Sequence, residues 1–200
     1  MSASAESAPA RRGRPGYDRE QVLAVAVELF NEQGYDATSV ADLAQRLGLT
    51  KSALYHHFDS KEQLLALALD EALGGLEGVL DAPADADPAE RLAAVLRGAV
   101  LVLVDRLPYV TLLLRVRGNS DVERAALERR RAFDHRVTML VTEAQSSGSV
   151  RSDVDGPVVT RLVFGMVNSL VEWYRPGGAI DRDRLAHDVV TVALDGMRTR

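Results

Sequence analysis

Apolar positions in this chain recur at three- and four-residue spacing, and the segments they mark predict an all-α protein of about nine helices. The pattern is clearest from Thr38 to Phe58, TSVADLAQRLGLTKSALYHHF. Val40, Leu43, Ala44 and Leu47 lie on one face of a helix whose start Thr38 or Ser39 can cap and whose end is Gly48. Thr50 can cap a second helix, in which Leu54 and Phe58 point back to the core. Helices that cross over so short a turn need a small residue near the crossing and one tolerant of positive φ at the turn, and Ala44 and Gly48 meet those needs. The stretch therefore reads as a helix-turn-helix. Ser52 and His56 face away from its core, flanked by Ala53 and Tyr55, with Lys51 at the helix start. Such a face suits a major groove: Ser and His can bond base edges, Ala can touch a thymine methyl, and Tyr and Lys can hold phosphates.

Upstream, Asp18 can cap a helix with Val22, Leu23, Ala26, Val27 and Phe30 in one stripe, closed by Gly34. These three helices make a small unit over residues 17–62. A fourth helix opens after Asp59 and Ser60 and carries Leu64, Leu65, Ala68, Ala72 and Leu73 into a larger domain, residues 63–200. Lys61 stands in its first turn, the unfavourable end of the dipole for a cation, which marks it as a candidate phosphate contact beside the reading of a solvated Lys. Past the Asp- and Pro-rich loop 81–88, helices follow from Pro88, Pro108, Asp121, Pro157 and about Asp183. The last two carry apolar stripes too wide for one buried side. They are the dimer candidates, with Val158, Leu162, Gly165, Val189, Val192 and Ala193 as interface residues.

An apolar share of 46% is ample for a core, and no apolar run approaches a membrane span or a signal-peptide centre, so the expected location is cytoplasmic with no membrane partner. Without Cys there is no disulfide, thiolate catalysis or Cys-ligated metal. The net charge of −5 looks wrong for a DNA binder, and residues 1–62 alone hold seven Lys/Arg against nine Asp/Glu. Binding must then rest on a few placed cations rather than a basic coat. One compact basic patch exists, Arg11-Arg12-Gly13-Arg14-Pro15-Gly16, at the end of an arm, residues 1–16, whose small-residue composition predicts disorder. RGRP resembles the core of an AT-hook, with Arg12 and Arg14 along a narrow minor groove; the plain alternative is a soluble basic tail.

From about Asp18 to Leu65, through FNEQGYDATSV, LAQRLGLTKSALYHHF and SKEQLL, the chain resembles the TetR family of bacterial transcriptional regulators. The resemblance implies three DNA-binding helices, a C-terminal part that binds a small effector and forms the homodimer, and double-stranded operator DNA as partner. It also implies DNA contacts at matching positions: Thr38 to phosphate, Lys51, Ser52, Ala53, Tyr55 and His56 to DNA, and His57 and Lys61 to its backbone.

The effector is harder to read. Leu103, Tyr109, Leu113, Phe133, Phe164, Met166 and Trp173 are apolar or aromatic residues that can meet inside the bundle, as core or as pocket. Polar candidates are Arg115, Arg117, His135, Arg136 and Asn168, the last either a bonded core amide or a ligand contact. Arg129 to Arg131 read as a solvated face, with the alternative that one turns inward to an anion. The run Glu172-Trp173-Tyr174-Arg175-Pro176-Gly177-Gly178 resembles a branch of the family answering to fatty acyl-CoA or other CoA thioesters, though it could equally be a structural turn. A small hydrophobic or CoA-thioester effector is therefore expected, with no cofactor and no metal. His56 and His57 diverge, and no nucleophile-base-orienter set is legible, which weighs against the alternative of a helical enzyme or carrier for hydrophobic thioesters.

Overall fold

The computed structural model describes residues 17–81 and 86–197. The basic arm, with Arg12 and Arg14, lies outside the described residues. Among those described, every regular element is helical: α1 (Arg19–Gln33), α2 (Val40–Leu47), α3 (Lys51–Tyr55), α4 (Lys61–Gly78), α5 (Pro88–Asp105), α6 (Leu107–Arg115), α7 (Asp121–Ser146), α8 (Gly156–Asn168), α9 (Leu170–Trp173) and α10 (Arg182–Met197). The element beyond the nine expected is α9, a single turn separated from α8 at Asn168 and Ser169.

The helix starts follow the local chemistry. Asp18 and Gln21 form a reciprocal capping box on α1, as Ser39 and Asp42 do on α2, while Thr50 and Ser60 accept from the third backbone N–H of α3 and α4. Each such cap contributes about 1 kcal/mol by satisfying an orphan donor. Gly48 ends α2 in the left-handed region at φ 64°, which turns the chain into α3.

α4 ties the N-terminal helices to the bundle, packing on α1, α5, α6 and α7. Leu54 of α3, Phe30 of α1 and Leu64, Leu65 and Ala68 of α4 belong to one buried cluster that continues through Val100, Leu113 and Leu170 to Val189. The helix-turn-helix is thus joined to the bundle by shared core, with α1 against α2, α4 and α6. A second cluster at the far end gathers Leu92, Val95, Phe133, Val141, Val159 and Ala193, where α5 packs on α7 and α10, and α7 on α8. Arg129 of α7 clamps α4 by pairing with Asp70 at 2.8 Å and Glu77 at 2.7 Å, and its hydrogen bond holds the Glu77 carboxyl below the usual range. No described helix is long and apolar enough to cross a membrane.

Candidate nucleic-acid interface and ligand cavity

On α3 the burial of Leu54, followed by Phe58, leaves the opposite side of a short helix to solvent. Lys51, Ser52, Tyr55 and His56 are exposed there, and Ala53 and His57 are half-buried at its margins. None of the four exposed side chains has a hydrogen-bond or ion-pair partner among the described residues, so all are available to a ligand. Neighbouring polar groups are spent: Arg46 bonds Glu32 across α2 and α1 at 2.5 Å, and Arg19 lies over the Phe58 ring at 5.1 Å.

Two expected phosphate contacts are instead internal. Thr38 is 1% exposed, and its hydroxyl donates to Gly34 O at 2.7 Å, so its side chain closes the α1–α2 turn rather than facing DNA. Lys61 Nζ donates to Tyr35 O and Thr38 O, each at 2.8 Å, and sits 4.1 Å from the Tyr35 ring centroid. This explains a cation in the first turn of α4: carbonyl partners and a π face outweigh an unfavourable dipole.

Inside the bundle a small cavity of about 30 Å³, room for a water or two, is walled by Leu76, Ala99, Leu103, Val110, Leu113, Leu114, Phe133, Phe164 and Val167, with Arg130, Asp134 and Asn168 as its polar members. The Phe133 and Phe164 rings meet edge to face at 5.4 Å across its α7–α8 side. Of the residues expected at an effector site, Leu103, Leu113, Phe133, Phe164 and Asn168 come together here.

The others do not. Tyr109 is half-buried beside the core, where burial pushes its phenol up with help from Glu71. Arg117 faces a separate cleft beside Asn31 and Tyr35 at the end of α1. Arg136 points its guanidinium at Leu80 O, 3.5 Å away, and Trp173 stands 48% exposed with its indole N–H toward Ser169. For Tyr109, Arg136 and Trp173 helical spacing permitted an inward face that the packing of neighbouring helices did not supply, while Arg117 lies in the link between α6 and α7.

Arg130 is the one of Arg129 to Arg131 that reaches the cavity, while Asp134, four residues on and on the same α7 face as Phe133 and Val137, was missed. That shared face was the available signal. Both residues, with Phe164 and Asn168, also border an outer groove of about 460 Å³ that adds Arg131, His135, Thr138, Thr160 and Arg161. While Arg46, Arg91, Arg97, Arg129, Arg151 and Arg182 are paired with carboxylates, Arg130, Arg131 and Arg161 have no such partner among the described residues. The apolar cavity thus shares four lining residues with a groove lined by unpaired cations.

The outer faces of α8 and α10 carry Val158, Leu162 and Val192 into solvent, Leu162 at 67% and Val192 at 63% exposure, and an added Cβ at Gly165 would meet nothing within 4 Å. Val189 and Ala193, expected at the same face, are buried in the chain's own core because α10 turns that side to α5.

Residues 22–68 match the family described as bacterial regulatory proteins, tetR family, and residues 85–197 match the tetracyclin repressor-like C-terminal domain. The chain is 30% identical to the HTH-type transcriptional repressor KstR2 of Rhodococcus jostii over 90% of each chain. A member of the TetR transcriptional regulator family from Streptomyces coelicolor A3 superposes with a TM-score of 0.83 at 49% identity, covering 89% of this chain and 91% of that one. AibR, solved in complex with isovaleryl coenzyme A and operator DNA, superposes at 0.70 with 27% identity over 87% of this chain and 96% of its own.

Proposed function

The chain belongs to the TetR family of bacterial transcriptional regulators, and from that premise we propose that it is a ligand-responsive repressor that binds a palindromic operator as a homodimer and leaves it when a CoA thioester or similar hydrophobic anion enters the bundle. The observation that carries the DNA half is the α3 face, where Lys51, Ser52, Tyr55 and His56 are exposed and unspent beside a cap and core that hold the helix rigid. Two copies joined through Val158, Leu162, Gly165 and Val192 would present these faces about 34 Å apart, in successive major grooves. Lys51 and Tyr55 then hold phosphates while Ser52 and His56 reach base edges, Ala53 and His57 sit at the margins, and Arg12 and Arg14 extend the contact into the flanking minor groove.

The effector half is supported by the chemistry of the cavity. Its apolar walls suit an acyl body that enters by parting them from the present volume of about 30 Å³, and the unpaired Arg131, Arg161 and His135 outside suit phosphates. The resemblance to AibR, whose complex holds isovaleryl coenzyme A, points the same way. Coupling to DNA runs along α6. Val110, Leu113 and Leu114 line the cavity, while at the helix ends Pro108 O accepts from Asn31 Nδ2 at 2.8 Å and Arg115 donates to Asn31 O at 2.6 Å. A ligand that favours a different seat for α6 therefore favours a different seat for α1, and operator affinity falls by its differential binding to the two shapes. The relatives that match are regulators, so likeness lends nothing to the reading as an enzyme or carrier of thioesters.

The test is fluorescence anisotropy with duplexes from upstream of the coding region, titrated with salt and then with a series of acyl-CoAs. Sequence-selective, salt-sensitive binding reversed by an acyl-CoA is the expected outcome. Equal affinity for a scrambled duplex would overturn the DNA half, and indifference to every acyl-CoA the effector half.

A further inference from the structure

The apolar cavity and the cationic groove share four lining residues, called the neck below: two pairs four apart on facing helices, Arg130 and Asp134 on α7, and Phe164 and Asn168 on α8. These four border both spaces, so a ligand with its tail in one and its head in the other would have to pass between them. A carboxylate is out of place there if the only duty of the neck is to admit an anion. Asp134 is half-buried, its carboxyl makes no hydrogen bond or ion pair among the described residues, and Asn168 opposite has no side-chain partner either. Burial pushes the Asp134 carboxyl up, against the opposing influence of Arg130 and Arg161, neither of which pairs with it. A half-buried acceptor left without a donor gains most from a ligand that supplies one.

We propose that Asp134 is the specificity-determining residue of the effector site, accepting a hydrogen bond from an N–H or O–H that the ligand carries just outside its apolar body, with Asn168 bonding the carbonyl beside it. The inference rests on the effector reading above and narrows it. A pantetheine-type thioester carries such an N–H a few bonds from its acyl carbonyl. A free fatty acid ends instead in a carboxylate, which would stand against the carboxylate of Asp134 and offer no donor. Arg131, Arg161 and His135 then select for phosphate independently of Asp134, because they border the outer groove alone.

Three probes separate these contributions: octanoyl-CoA, the thioester of octanoate with N-acetylcysteamine, which keeps the amide N–H and lacks phosphates, and octanoate. Binding to the full chain is measured by titration calorimetry, with thermal unfolding as a check on folding. In Asp134→Leu both thioesters should weaken by about tenfold or more, the scale of a hydrogen bond to a charged group, while octanoate holds or tightens. Asp134→Asn, which keeps an acceptor oxygen, should restore part of that loss. Arg131→Ala with Arg161→Ala should weaken octanoyl-CoA and spare the N-acetylcysteamine thioester. If wild type binds the thioesters and Asp134→Leu leaves the ratio of thioester to free-acid affinity unchanged, this inference fails and the effector reading survives. If wild type binds neither thioester, both fall.

Discussion

The recognition face of α3 and the neck between α7 and α8 use similar side chains under opposite constraints. On α3, Ser52, Tyr55 and His56 stand on a short helix with one buried residue, Leu54, and whatever does not pack faces water. At the neck, Arg130, Asp134 and Asn168 sit half-buried on helices that bury other faces in the core and line both the cavity and the outer groove. The first surface can meet a rigid duplex whole. The second admits a flexible ligand end-on and meets it one group at a time. In both, the side chains that bear on function are those the protein's own interior leaves unused.

The largest effect is expected at the dimer face, because both surfaces are expected to act in pairs. Leu162→Asp with Val192→Asp should give a monomer by sedimentation equilibrium and cost about a hundredfold or more in operator affinity, the avidity of a second linked site. A dimer that persists would put the interface elsewhere. Ser52→Ala with His56→Ala comes next. Discrimination between operator and scrambled duplex should fall by about 1–3 kcal/mol for each base-edge hydrogen bond removed, with little change in salt dependence. Unaltered selectivity would remove α3 as the reader.

Lys61→Met sharpens the contrast between used and unused polar groups. Its two carbonyl partners predict a fall in folding stability of about 1–3 kcal/mol in urea, with the salt slope of DNA binding unchanged. A slope shallower by one ion would return Lys61 to the phosphates. The smallest effect is expected at Arg129→Met, under about 1 kcal/mol for so exposed a pair. Glu77 has its folded pKa depressed by Arg129, so the contribution is present above the ordinary carboxylate range and fades as pH falls through the lowered value. Acid titration of wild type should show that decline, and the variant's curve should be flatter.

Most of the fold was legible in the chain itself. Asp18, Ser39, Thr50 and Ser60 cap where their chemistry says they should, Gly48 takes the left-handed turn, and the stripes of α1, α2 and α5 are buried as their spacing predicts. These are local matters, settled by hydrogen bonds and periodicity within a few residues. The outward face of α3 was readable for the same reason, since one buried position determines the rest of a two-turn surface.

Where a choice depended on which helix lies opposite, spacing alone could not make it. Val189 and Val192 both belong to the stripe of α10, yet α5 covers one and leaves the other in water. Arg129, Arg130 and Arg131 are consecutive and the same residue, but α4 supplies carboxylates to the first while the second reaches the cavity. Lys61 and Thr38 face carbonyls brought to them across the α1–α2 turn, and Asp134 gains its role from α8. The sequence by itself determined the helices, their caps and the outward polar face of α3. The cavity, its polar neck and the division between core and partner face were decided only by tertiary packing, because partners distant in the chain set which side of a two-sided helix stays free.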